Sequence, residues 1–153
     1  MRRAATRGFT FVEMMVVLAI IGLAAAVVGP ALDAGLDSRE VRRATRQIAA
    51  TMHHLRTEAM ASGKTRRLQI KPSENLIEAD GRSRWVILTE RALIERVEGG
   101  AVAGDGTIEL LFYANGSTSG ADIVVSSRRD RFANRLRLIL DPLVGTVRVE
   151  DAS

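Results

Sequence analysis

Arg7-Gly8-Phe9-Thr10-Phe11-Val12-Glu13, running on into Met14 to Val28, decides how the rest of the chain is read. A basic leader meets an apolar run at a single glycine, and one carboxylate lies inside that run. Between Phe9 and Leu32 the only ionisable side chain is Glu13. A charge in hydrocarbon costs roughly 3 kcal/mol on insertion scales, so Glu13 calls for a named partner. Phe9 to Val28 is 20 residues. As a helix it would reach about 30 Å, the thickness of a bilayer core.

Two ordinary explanations compete. Ala24-Ala25-Ala26 resembles a small-residue cleavage site, as in a secretory signal peptide. A plain membrane anchor would also fit the length. Neither accounts for Glu13 or for the Gly8-Phe9 junction. Arg2, Arg3 and Arg7 favour a cytoplasmic N-terminus. Arg39, Arg42, Arg43 and Arg46, 11 to 18 residues beyond Val28, pull the other way. The leader abuts the apolar segment and enters first, so it decides the orientation.

The stretch resembles the class III signal and N-terminal helix of type IV pilins and type II secretion pseudopilins. The resemblance implies cleavage by prepilin peptidase after Gly8 and N-methylation of the new first residue, Phe9. It also implies that Glu13 is the assembly residue and that Pro30 is the helix proline. The chemistry is coherent. Cleavage frees an amine at Phe9 that stays cationic after one methylation, and the Glu13 carboxylate of a neighbouring subunit can pair with it. Within the membrane that pairing relieves a costly charge and so favours assembly. In a lone subunit, Glu13 can instead pair with its own N-terminus or stay protonated.

Gly29-Pro30 and Gly35 weaken the helix midway, and a kink or short melted stretch is expected at Pro30. Asp37-Ser38-Arg39-Glu40 offers an N-cap for a restarted helix. Val41, Ala44/Thr45, Ile48, Met52, Leu55 and Ala59 then recur at spacings of three and four. This is one apolar stripe that should pack on a following sheet, with Arg39, Arg42, Arg43 and Arg46 pointing elsewhere. Gly63 is a fitting stop. Beyond it, short β-like runs alternate with turns. They are Arg67 to Ile70, Asn75 to Ile77 paired across Pro72-Ser73, Trp85 to Leu88 after Asp80-Gly81, and Ile108 to Tyr113 ended by Asn115-Gly116. Ile123 to Val125, Leu136 to Leu140 and Val144 to Val149 follow. Gly99 to Gly106 is expected to be a mobile loop. Phe112 to Gly120, Leu136 to Leu140, Gly145 and Val147-Arg148-Val149, with the helix end Leu55 to Ala59, look like the β domain of H-type minor pseudopilins.

Composition narrows the chemistry. There is no cysteine, so thiol chemistry and disulfides are excluded. The net charge is +4, but without residues 1–8 it falls to 19 basic against 18 acidic side chains. His53 and His54 are adjacent on a helix and point about 100° apart, too divergent to share a metal. Gly116-Ser117-Thr118-Ser119-Gly120 has threonine where a nucleophile elbow needs serine, and no histidine follows. Gly104-Asp105-Gly106 lacks the third glycine of a dinucleotide loop. No cofactor, metal or enzymatic activity is expected. Arg128, Arg129, Arg131, Arg135 and Arg137 form a candidate interaction patch. Solvated charge, an interface with acidic protein neighbours, and nucleic acid are the three readings of it. The mature charge and the single aromatic of that segment, Phe132, weigh against nucleic acid.

The expected fold is α+β, a long N-terminal helix, transmembrane in its first half, packed on a small, mostly antiparallel β domain. The divisions are a leader at 1–8, an assembly helix at 9–30, a periplasmic amphipathic helix at 31–62 and a β domain at 63–153. The resemblance implies a minor pseudopilin of type II secretion, single-pass in a bacterial inner membrane with its β domain in the periplasm. Its fibre position would be near the tip. Its partners would be prepilin peptidase, other major and minor pseudopilins, and exoprotein or secretin. The alternative is a minor type IV pilin that binds DNA for uptake. Gly8→Ala should leave an unprocessed precursor on a gel; a band of mature size would refute the peptidase assignment.

Overall fold

The computed structural model describes residues 9–79, 85–130 and 134–152; the side chains of 27–34 and 85–87 fall outside that description. The leader with Gly8, the Asp80-Gly81 turn and Arg131 therefore lie outside the described residues. The chain forms two compact units, one up to Leu36 and one from Asp37 onward.

In the first unit the backbone is helical from Phe11. Leu18, Ile20, Ile21 and Leu23 are all largely exposed, so the apolar surface runs all round the helix rather than along one stripe. Among the described residues no helix is long and apolar enough to cross a membrane. The described side chains of the apolar run end at Ala26, short of the 20-residue stretch Phe9 to Val28.

The helix α1 (Phe11–Ser62) is continuous in its backbone assignment, so the melted stretch and the restart at Asp37 do not occur. Asp37 has another task. Its Oδ1 accepts from Arg91 Nη1 at 2.9 Å, and only 6% of its side chain is exposed. In the second unit the predicted stripe is the core face: Val41, Ala44, Thr45, Ile48, Met52, Leu55 and Ala59 are all buried. Arg39, Arg42, Arg43 and Arg46 are exposed. Burying each large stripe residue contributes about 1.5–3 kcal/mol. The exposed Arg43–Glu40 pair on the same helix, at 3.7 Å, is worth about 0–1 kcal/mol, so burial orients the helix. Gly63, at φ +66°, ends it.

Among the described residues nine strands follow: β1 (Arg66–Lys71), β2 (Leu76–Ala79), β3 (Trp85–Ile87), β4 (Ala92–Gly99), β5 (Ala101–Val102), β6 (Ile108–Phe112), β7 (Ala121–Ser127), β8 (Arg135–Leu140) and β9 (Val147–Asp151). They make two antiparallel sheets, ordered β3-β2-β1-β6-β5 and β4-β7-β8-β9. Period-two alternation puts Leu68 and Ile70 of β1, Ile108, Leu110 and Phe112 of β6, and Ile123 and Val125 of β7 in one core with the helix stripe.

Two expectations are corrected. Gly99 to Gly106 is not simply a loop, because Ala101 and Val102 pair with Glu109 and Ile108 as an edge strand. Gly100 allows this close approach, since a Cβ there would lie 2.7 Å from the Glu109 carbonyl oxygen. Asn75 does not begin a strand. It takes a left-handed conformation, φ 58°, closing the 3-10 turn Pro72–Glu74. From there its side chain spans the two sheets. Nδ2 donates to the Ala92 carbonyl at 2.7 Å, and Oδ1 accepts from the Ile94 amide at 2.9 Å. One amide side chain thus completes the backbone of β4 where no strand does. Asn75→Ala strands two buried backbone groups, each costing about 1–3 kcal/mol. It should lower stability by roughly 2–4 kcal/mol in urea unfolding; a loss under 1 kcal/mol would dismiss the bridge as incidental.

Candidate functional site

The N-terminal motif is built by a helix start. Thr10 Oγ1 accepts from the Glu13 amide at 3.2 Å, and the Thr10 carbonyl accepts from Met14 N–H at 3.2 Å. Thr10 is therefore the N-cap and Glu13 the third helical residue, the spacing of a capping box. Thr10-Phe11-Val12-Glu13 carried that signal in the sequence, and the motif reading passed over it. The cap fixes where Glu13 leaves the helix, and the helix dipole favours a carboxylate in this first turn. Phe9 is 74% exposed and Glu13 is exposed, so the described chain leaves both open to a neighbour. Helical backbone runs through Pro30, whose side chain is outside the description.

The distal end of the helix is tied to the two turns expected of the β domain. Arg56 Nε donates to the Gly116 carbonyl at 2.9 Å. Both glycines beside it are required. At Gly145, φ +65°, a Cβ would lie 2.3 Å from the Gly116 oxygen and 2.6 Å from Arg56 Nε. At Gly116, φ +86°, a Cβ would meet Met60 Sδ at 2.9 Å. Thr118 locks the second turn, its amide donating to the Pro142 carbonyl at 2.9 Å and its hydroxyl to the Asp141 carbonyl at 3.0 Å. Asp141 Oδ1 accepts from the Val144 and Leu143 amides, and these bonds hold its carboxyl below the usual range. That stabilisation is present above the ordinary carboxylate pKa and fades as pH falls through the lowered one. Thr118 is thus a structural residue at the point where the elbow comparison failed.

The arginine patch divides. Arg135 and Arg137 stand on β8 opposite Ser126 and Val124 of β7. Val124 and Ser126 are buried although they face away from the core, because cross-strand spacing lays the arginine stems over them. Arg135 Nη2 donates to Glu95 Oε1 at 2.9 Å. Arg137 Nε donates to Asp122 Oδ2 at 2.7 Å, and its Nη2 pairs with the same oxygen. That carboxylate, with Glu150 and Glu98 nearby, raises the Arg137 pKa. Two of the five arginines are therefore balanced by acids on neighbouring strands. Arg128 and Arg129 are exposed beyond β7, and Arg131 is outside the described residues. His53 and His54 are both exposed, and His54 Nε2 lies 3.9 Å from Glu58 Oε2. Among the described residues no group of three or more histidine or acidic side chains could hold a metal.

Comparison with known proteins places this geometry. Residues 3–29 match the prokaryotic N-terminal methylation motif. Two solved structures of the minor pseudopilin EpsH from the type II secretion system of Vibrio cholerae superpose with TM-scores of 0.60 and 0.61. They cover 73% and 76% of this chain and 97% and 96% of theirs, at 15% and 14% identity, so they speak to the fold. The chain shares the fold of those two structures. It is 38% identical over 79 residues to type II secretion system protein H of Xanthomonas campestris pv. campestris, covering 52% of this chain and 47% of that one. It thus spans about half the length of that relative. It is also 29% identical over 132 residues to fimbrial protein Q of Moraxella bovis, covering 82% of this chain and 81% of the relative.

In this fold the Arg56 clamp explains why an Asn-Gly turn and a late glycine occur together: each leaves room for the same guanidinium. Gly145→Ala should destabilise by roughly 2–4 kcal/mol from left-handed strain and the clash. A thermal unfolding midpoint unchanged from the parent would show that the two turns separate freely.

Proposed function

We propose that this protein is a minor pseudopilin of type II protein secretion, processed by prepilin peptidase and assembled into a periplasmic fibre near its tip. The observation that carries the proposal is one chain in which a methylation motif over residues 3–29 precedes a β domain with the fold of an H-type minor pseudopilin. Phe9 becomes the methylated terminus, and its amine meets the carboxylate of a neighbour. Glu13, held by Thr10 at a fixed place in the first turn, offers the complementary charge. The apolar side chains around it seat the helix in the inner membrane, and Pro30 bends the helix. The domain from Asp37 onward is periplasmic. Its partners are the peptidase, other pseudopilins, and exoprotein or secretin at the tip. The protein acts by assembly and carries no catalytic centre of its own.

A second reading, a minor subunit of a type IV pilus, draws on the similarity to fimbrial protein Q across most of both chains. Its DNA-uptake form needs a strong positive field on the β domain. The Arg135–Glu95 and Arg137–Asp122 pairs reduce that field. Glu13→Ala should be cleaved and inserted normally yet drop out of assembled fibres and fail to support secretion. Normal incorporation and secretion by that variant would sink the pairing mechanism.

A further inference from the structure

Among the described residues no strand pairs with the outer side of β9. The opposite edge of its sheet, β4, is closed twice, by a register shift between Ile94 and Arg96 and by the Asn75 side chain. Beside β9, the Ala152 amide donates to the Arg135 carbonyl at 3.2 Å and the Asp141 amide to the Thr146 carbonyl at 2.9 Å. Antiparallel alternation from both anchors turns the backbone groups of Val147, Val149 and Asp151 away from β8. Their side chains stand on the inner face, opposite Leu140, Leu138 and Leu136. That inner layer is unfinished: Val149 is 46% exposed beside Leu138 at 1%.

A groove of about 370 Å³ lies there. Arg42, Thr45 and Arg46 of the helix form one wall, and Leu136, Val149, Glu150 and Asp151 line the other. Among the described residues no carboxylate pairs with Arg42 or Arg46, although Arg43 has Glu40. Arg46 Nε donates to the Arg42 backbone carbonyl at 3.2 Å, which holds the Arg46 side chain back along the helix.

We propose that this groove is the docking site for an extended segment of another protein subunit. The segment adds to the free edge of β9 as a further strand and sets one carboxylate against Arg42 and Arg46. An added strand sends alternate side chains to the inner face. Apolar ones there cover Val149 and Leu136, and an acidic one meets the helix wall. Glu150 and Asp151 on the strand wall limit the complement to a single carboxylate rather than a polyanion. An anionic lipid headgroup would satisfy the arginines but leave the strand edge and Val149 uncovered, so a protein strand is the better complement. The inference holds whichever fibre the chain joins.

The test uses the full chain in detergent. The probe is a fluorescent nine-residue peptide alternating valine and threonine, with glutamate at its centre on the valine side. Binding should weaken about tenfold or more when the centre is lysine, when alternate peptide amides are N-methylated, or in the R42E/R46E variant. Val149→Pro removes an outward N–H and should weaken binding comparably; the N-methylated peptide tests the same contact without altering the fold. The proposal is overturned by no binding, or by equal binding of the lysine peptide and of R42E/R46E. It is also overturned if phosphatidylglycerol in the micelles binds through Arg42 and Arg46 while the peptide does not.

Discussion

Neither sheet of this protein can bury its inner face alone. The stripe from Val41 to Ala59 is what both are built against. The sheets are small, and without disulfides the domain depends on that packing. Everything else adjusts to it. Arg56 and Met60 project from the same helix and dictate glycine at 116 and 145. Asn75 joins the sheets at a place the stripe does not reach.

The two halves of α1 answer to different solvents. From Phe11 to Leu23 the large apolar side chains are exposed all round, a composition suited to lipid or to a bundle of like helices. After Asp37 one face is apolar and the other carries arginines. Glu13 is the exception in the first half. The threonine cap makes its place in the first turn a consequence of local hydrogen bonding rather than of assembly. The start of the helix at Glu13 is thereby fixed by the chain's own cap.

Much of this was legible in the sequence because periodicity and glycine are local signals. The stripe, the stop at Gly63, the β1–β2 pair, the Asn115-Gly116 turn and the final two strands follow from such signals. What was not legible depends on distant residues. β4 escaped because Ala92-Leu93-Ile94-Glu95-Arg96 favours helix by composition and its register shift breaks the alternation. The pairing of Arg135 with Glu95 spans 40 positions, so a run of arginines looked like one open patch. Asn75 was misread as a strand residue because its left-handed backbone follows from the preceding turn, not from any hydrophobic pattern. At the N-terminus the motif overshadowed the simpler helix cap in the same residues.

The Asp37–Arg91 pair carries a mechanical meaning. A subunit drawn by its helix transmits tension to its domain at the first residues that hold both together. Here that point is an ion pair with a buried carboxylate and a partly exposed guanidinium, with Thr89 and Glu40 a turn further on. Losing Arg91 would leave the buried Asp37 carboxylate without this partner, so the contact matters more than the exposed Arg43–Glu40 pair. The helix is thus fastened to the residue before β4 at the start of its amphipathic half.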